Sequence, residues 1–165
     1  MIEIFAKPAV GAIIYKVEQG QRYILIQIRN KKNGGSENGM IEIPAGKVRE
    51  YENMFTALRR EVWEETGLNI IKIYGEENTV SSEINGYSTI SMSPFCVTQN
   101  LSGGYSIILH TFICQAEGNL LTNTNETSDV HWELVETVKE VLYKDPESFY
   151  PMHINALKKY FHENP

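Results

Sequence analysis

The chain has 165 residues, 42% of them hydrophobic and 22% charged, which suits one globular domain with a sizeable core and leaves little room for a second. A net charge of −6 and a pI near 5.3 argue against a general nucleic-acid binder, which would be basic. An anionic ligand would need local cations or bound metal to approach.

Residues 9–16 and 23–29 are rich in Ile, Val and Tyr, and the polar stretch 18–21 between them predicts a β-hairpin. Residues 30–39 read as a polar loop, and Ile41-Glu42-Ile43 as a short strand ending at Pro44-Ala45-Gly46. Residues 53–66 carry a helical pattern, with Asn53 placed to cap its start and Gly67 to end it in a left-handed conformation. Strand-like content returns over 70–80, 87–97 and 105–116, with Gly103-Gly104 as a tight connection, and again at 130–133. Residues 134–143 and 151–162 predict two further helices, the second with Ile154, Leu157, Lys158 and Phe161 at helical spacing. The sum is a mixed sheet with helices packed on it, an α/β layer architecture in one domain over 1–165.

Cys96 and Cys114 form no CxxC pair and lie in apolar or β-branched runs, so they read as free thiols in a reducing compartment. Residues 1–7 hold no basic segment leading into a sustained apolar stretch, and no run approaches the length of a membrane span. A cytoplasmic protein without membrane contact is the expectation. The four histidines, His110, His131, His153 and His162, show no metal-ligand spacing and receive no role.

On the helix over 53–66, with Glu61 taken as zero, Glu64 falls near −60° and Glu65 near +40°, so three carboxylates share an arc of roughly 100°. Phe55, Leu58 and Val62 fall between about +60° and +120°, which sets the apolar anchor beside the acids. Ala57, near −40°, reads as a small side chain leaving space for an ion and a ligand. Like charges at this spacing oppose one another, and bound Mg²⁺, which takes oxygen ligands, would relieve the repulsion. A solvated acidic face braced by Arg59 and Arg60 is the alternative for the helix taken alone.

The surrounding spacing decides between them. Gly46, five residues, Glu52, seven residues, Arg60-Glu61, Val62, one residue, Glu64-Glu65, one residue, Gly67 and Leu68 reproduce every defined position of the Nudix box. Chance would produce that combination in a chain of this size at odds on the order of 10⁻⁸. The sequence therefore resembles the Nudix hydrolase family. That resemblance implies a strand-loop-helix-strand motif inside an α/β/α sandwich with a mixed sheet. It also implies Mg²⁺-dependent hydrolysis, with Mn²⁺ as a substitute, of a diphosphate linkage in a nucleoside diphosphate joined to another group.

Residue by residue, Glu64 and Glu65 match the family's metal ligands, and Glu61 a further ligand or the base that activates water. Arg60 and Glu52 match a buried pair that orients the acids, and the Ala45 carbonyl a backbone oxygen in the metal shell. Glu126, in the loop 124–129, resembles a second-site glutamate that serves as ligand or base. Arg29, at the end of a strand, resembles an arginine that contacts substrate phosphate. Phe95 and Tyr105 are candidates for stacking on a base, although aromatics in strands usually belong to the core.

Substrate marks conflict. Ser82 and Glu83 stand where many ADP-ribose hydrolases carry a proline, Tyr87 lies near but not at the tyrosine of dinucleoside polyphosphate hydrolases, and 25–39 lacks the coenzyme A pattern. A (d)NTP or other small nucleotide is the leading expectation. ADP-ribose, a nucleotide sugar or a dinucleoside polyphosphate is the alternative, and a non-catalytic nucleotide-sensing module is an alternative of another class. A homodimer is an arrangement common in the family.

Overall fold

Twelve-residue β1 (Lys7–Glu18) and β2 (Gln21–Arg29) form the predicted hairpin. Its turn rests on Gln19 and Gly20, both at positive φ (51° and 76°), the backbone that a two-residue hairpin loop needs to match strand twist. The computed structural model describes residues 1–121 and 123–164. β3 (Ile41–Glu42) pairs with β2, and β4 (Ala45–Lys47) pairs with β1, so the chain crosses the hairpin at Pro44. β9 (Ile107–Glu117) runs parallel to β1, while β5 (Asn69–Ile73), β8 (Cys96–Gln99) and β10 (Thr127–Leu134) add antiparallel neighbours. The result is one mixed eight-stranded sheet with the central order β10-β2-β1-β9-β5.

Two predicted strands are each divided. The segment 70–80 contains β5 and then β6 (Val80–Ile84), broken at Gly75, whose φ of 93° no β-strand accepts. The segment 87–97 contains β7 (Tyr87–Ser91) and then β8, separated around Pro94, which cannot donate to a ladder. β6 and β7 form a separate two-stranded hairpin off the main sheet.

α1 (Met54–Thr66) starts where Asn53 Oδ1 accepts the Phe55 N–H at 2.8 Å, and ends at Gly67, with φ 75° and its N–H donated to the Trp63 carbonyl. α2 (Val135–Lys144) and α3 (Pro151–Glu163) pack on the opposite face. Strand alternation makes the layers: Val10, Ala12 and Ile14 of β1 join Leu25 and the α1 residues Phe55, Leu58 and Val62, while Ile13 joins Ile24, Ile26, Val138 and Leu157. Full burial of each α1 anchor contributes about 1.5–3 kcal/mol. Ala57 is part of this core at 0% exposure and lines no ligand space; its small side chain lets α1 sit close on the sheet. Among the described residues, no helix is long and apolar enough to cross a membrane.

Candidate active site

The short β4 lies between β1 and α1, and its ladder fixes which way its peptide groups point. Ala12 N–H donates to the Pro44 carbonyl and Val48 N–H to the Pro8 carbonyl, so in the antiparallel register the opposed pair Gly11 and Ala45 exchanges no ladder bonds. The Ala45 N–H and C=O therefore point away from β1, toward α1. The N–H reaches Glu65 Oε2 at 3.1 Å, and the carbonyl faces the same side. Gly46 follows because a Cβ there would overlap the Glu61 carboxyl group.

On α1, Arg60 holds the acids in place. Its Nε and Nη2 donate to Glu52 at 2.8 and 2.9 Å, a bidentate pair, and Nη2 also reaches the Lys47 carbonyl at 3.1 Å. Its Nη1 bonds Glu61 Oε1 and lies 3.4 Å from Glu64 Oε2. The Arg60 guanidinium holds the Glu52 carboxyl down at about 2. Arg59 does not brace the acids: it forms a bidentate pair with Glu76 at 2.7 Å.

The three box acids occupy different environments. Glu64 is half exposed. Burial pushes the Glu61 carboxyl up against the opposing pull of Arg60. Glu65 is buried, and burial, followed by the charge of Glu42, pushes it up to about 8. Its Oε2 accepts from Gln27 Nε2 at 2.9 Å as well as from Ala45. Among the described residues no three His, Cys, Asp or Glu side chains form a ready-made cage for an ion, since Glu61 and Glu64 turn toward Arg60.

These acids border a cleft of about 750 Å³. Its lining joins the acids Glu61, Glu64, Glu65 and Glu126 to an apolar and aromatic wall of Ala9, Ile107, Leu109, Met152, Tyr105 and Tyr150, against part of which Ala45 packs. Lys31, Lys47 and Arg49 line it too, so cations sit around an acidic protein's cleft. β10 pairing with β2 delivers Glu126 to the rim, where it meets Lys31 Nζ at 3.1 Å. Arg29 also lines the cleft, but its Nη1 and Nη2 pair with Glu42 at 3.0 Å and Glu37 at 3.1 Å, and its guanidinium stacks 4.1 Å from the Tyr150 ring centre.

Of the two aromatics singled out for stacking, Tyr105 lines the cleft with Lys47 over its ring, while Phe95 packs under Lys159 on the far side of the sheet. His153 lines the cleft although its sequence context assigned it nothing. Its Nδ1 accepts the Ile43 N–H at 3.1 Å, and burial pushes the ring down to about 3, so it stays neutral with the proton on Nε2. Gln27, Lys31, Glu42 and Tyr150 were also missed. β2 positions 25, 27 and 29 share one face, and in the fold apolar Leu25 gives way there to buried Gln27 and Arg29.

A family model described as NUDIX domain matches residues 6–153. No curated protein matches the chain. Similar folds occur in the MutT protein from Methanosarcina mazei Go1, with 21% identity, a TM-score of 0.61 and 99% of each chain covered. A C. elegans Ap4A hydrolase binary complex shows 16% identity and a TM-score of 0.55, covering 94% of this chain and 96% of that one. The NUDIX domain of Shewanella oneidensis NrtR, complexed with ADP ribose, shows 14% identity and a TM-score of 0.67, covering 99% of this chain and 91% of that one. At these identities the likeness is one of fold, an α/β sandwich with a mixed sheet. The family match, by contrast, spans most of the sequence and contains the complete box, and the chain belongs to the Nudix family.

Proposed function

We propose that the protein hydrolyses a diphosphate linkage in a small nucleotide, with a (d)NTP as the leading substrate, and that it uses Mg²⁺, or Mn²⁺ in its place. Nudix hydrolases generally use divalent cations. One observation carries the reading: three box carboxylates and the outward-turned Ala45 peptide line a cleft of about 750 Å³ whose walls also include apolar and aromatic side chains. That volume falls within the range of small-molecule sites.

The donor set suits a hard divalent cation. All the groups offered are oxygens, and Mg²⁺ commonly takes only one or two carboxylates with substrate phosphate and water, so an open arrangement fits it. Glu64, Glu65 and the Ala45 carbonyl would hold the ion, with Glu61 as a further ligand. Both protein donors to Glu65 land on Oε2, and none of the described residues donates to Oε1. When bound, the cation neutralises charge developing on a bridging phosphate oxygen and makes a bound water more acidic.

The chain's own residues do the rest. Arg60, locked by Glu52, keeps Glu61 turned toward the cleft. Glu61 Oε2, which accepts nothing from Arg60, is placed to take the proton from an attacking water, and Glu126 on the opposite rim is the second candidate base. Tyr105, exposed on the cleft wall, offers a face for a nucleobase, and Lys31, Lys47 and Arg49 supply positive charge for phosphates. Arg29 contributes its charge beside Tyr150. Residues 1–165 act as one Nudix domain, and its free thiols Cys96 and Cys114 suit a reducing, cytoplasmic setting.

A second reading takes a nucleoside diphosphate bearing a larger group, since one structure of similar fold is complexed with ADP ribose. Retention of every box acid favours catalysis over sensing. The test is nucleoside monophosphate release from dNTPs, NTPs, ADP-ribose, nucleotide sugars and dinucleoside polyphosphates with Mg²⁺, for wild type and Glu64→Gln. Release should fall at least about 100-fold in the variant, since a positioned group in such sites contributes factors of 10²–10⁴. Equal release by both proteins would remove the proposed site.

A further inference from the structure

On β2, Leu25, Gln27 and Arg29 face α1, and only Leu25 is apolar. Gln27 is 0% exposed, Arg29 5%, and Glu42, directly across from Gln27 in the β2–β3 register, 3%. Three strongly polar side chains thus occupy a buried row where apolar residues of similar volume would pack without a desolvation cost. A local rule broken in this way marks a site whose polar groups serve something else.

Their bonds run in one direction. Arg29 Nη1 donates to Glu42 Oε2 at 3.0 Å, and Gln27 Nε2 donates to Glu42 Oε1 at 3.3 Å and to Glu65 Oε2 at 2.9 Å. Between Glu42 and Glu65, the Gln27 amide presents its NH₂ group to both carboxyl groups, and its own Oε1 has no partner among the described residues. An orphaned buried acceptor is unfavourable, so the orientation is dictated by the two carboxylates rather than by the needs of the amide. At Glu65, the Gln27 and Ala45 donors converge on the same oxygen. Two fixed donors on Oε2 set the twist of the carboxylate and leave Oε1 to the cleft.

We infer that Gln27 is a positioning residue for Glu65: its amide, oriented by the buried Glu42–Arg29 pair, holds the carboxylate with Oε1 presented to the cation site. This rests on the reading of Glu65 as a cation ligand under Proposed function. The row also reaches the aromatic wall of the cleft, because Arg29 stacks on Tyr150. Partners of this kind, one bond removed from a ligand, change metal affinity or activity by about 10–100-fold when altered.

The experiment measures Mn²⁺ binding by electron paramagnetic resonance, with turnover alongside, for wild type, Glu65→Gln, Gln27→Met and Gln27→Asn. Met keeps the volume of Gln without a donor, and Asn keeps the amide but falls one methylene short of Glu65. Both Gln27 variants should bind Mn²⁺ about tenfold or more weakly. Their kcat should fall at subsaturating Mn²⁺, with a smaller change in nucleotide KM, and the deficit should shrink as Mn²⁺ is raised. If Gln27→Met does not fold, Gln27→Asn carries the same expectation. Wild-type Mn²⁺ affinity in the folded Gln27 variants, with binding lost in Glu65→Gln, overturns the positioning role and leaves the cation site standing. Absence of Mn²⁺ binding in the wild type overturns the cation reading itself.

Discussion

His153 shows how a single residue ties the cleft to stability. Its ring accepts the Ile43 N–H and is held neutral, with burial pushing it from an ordinary value of 6.5 down to about 3. The unfolded chain takes up a proton near pH 6.5 that the folded protein refuses, so this contribution is complete above about 6.5, declines as pH falls, and levels off near 3. In His153→Asn the amide oxygen can still accept the Ile43 N–H but does not titrate. The stability gap between wild type and variant, followed by urea denaturation, should therefore move in the variant's favour between pH 7 and pH 4. A gap independent of pH would mean that the ring takes up its proton in the fold as readily as in the unfolded chain. Single residues also mark the boundary of what sequence could show. Glu61, Glu64 and Glu65 were legible because helical spacing places them on one arc, whereas Gln27 and Glu42 sit in strands, where an isolated polar residue reads as solvent-facing. Only pairing across β2 and β3 reveals that both are buried.

At the level of the element, α1 was the most legible part of the chain, since its cap, its apolar stripe and its terminal glycine all agree. Asn53→Ala removes the side-chain acceptor for Phe55 N–H and should cost about 1 kcal/mol in chemical denaturation; a change near zero would mean that packing alone sets the start of the helix. Strand boundaries were less legible than helix boundaries. The breaks at Gly75 and Pro94 lie inside stretches whose β-branched and aromatic content is continuous, so composition ran them together while backbone conformation divided them. α3 was predicted as a helix, but its contribution to the cleft was invisible. Tyr150, Met152 and His153 reach the site only because the N-terminal end of α3 docks beside Ile41 and Ile43, as the bonds from Tyr150 N–H to the Ile41 carbonyl and from Ile43 N–H to His153 show. No periodicity within 151–162 carries that information.

For the molecule as a whole, acids gathered on α1 predict linkage between metal and folding. A ligand present at 100 times its Kd and bound only by the native state adds about 2.7 kcal/mol, which for a chain of this size raises Tm by roughly 5–10 °C. Millimolar Mg²⁺ should produce such a rise in wild type by calorimetry and a much smaller one in Glu65→Gln. Equal curves with and without Mg²⁺ would favour a purely solvated acidic face. The sheet that carries these groups has a further consequence, in time rather than in space. β1 lies at its centre yet bonds in parallel to β9, with Lys7 opposite Ile107. During synthesis, at about 5–20 residues per second, the first strand must wait on the order of ten seconds for its central partner. Until then the β1–β2 hairpin has an open edge and an uncovered apolar face. Loop closure over such a separation slows folding relative to local pairing, so the step that fills the centre of the sheet is also the one that first brings Ile107 and Leu109 to the cleft wall.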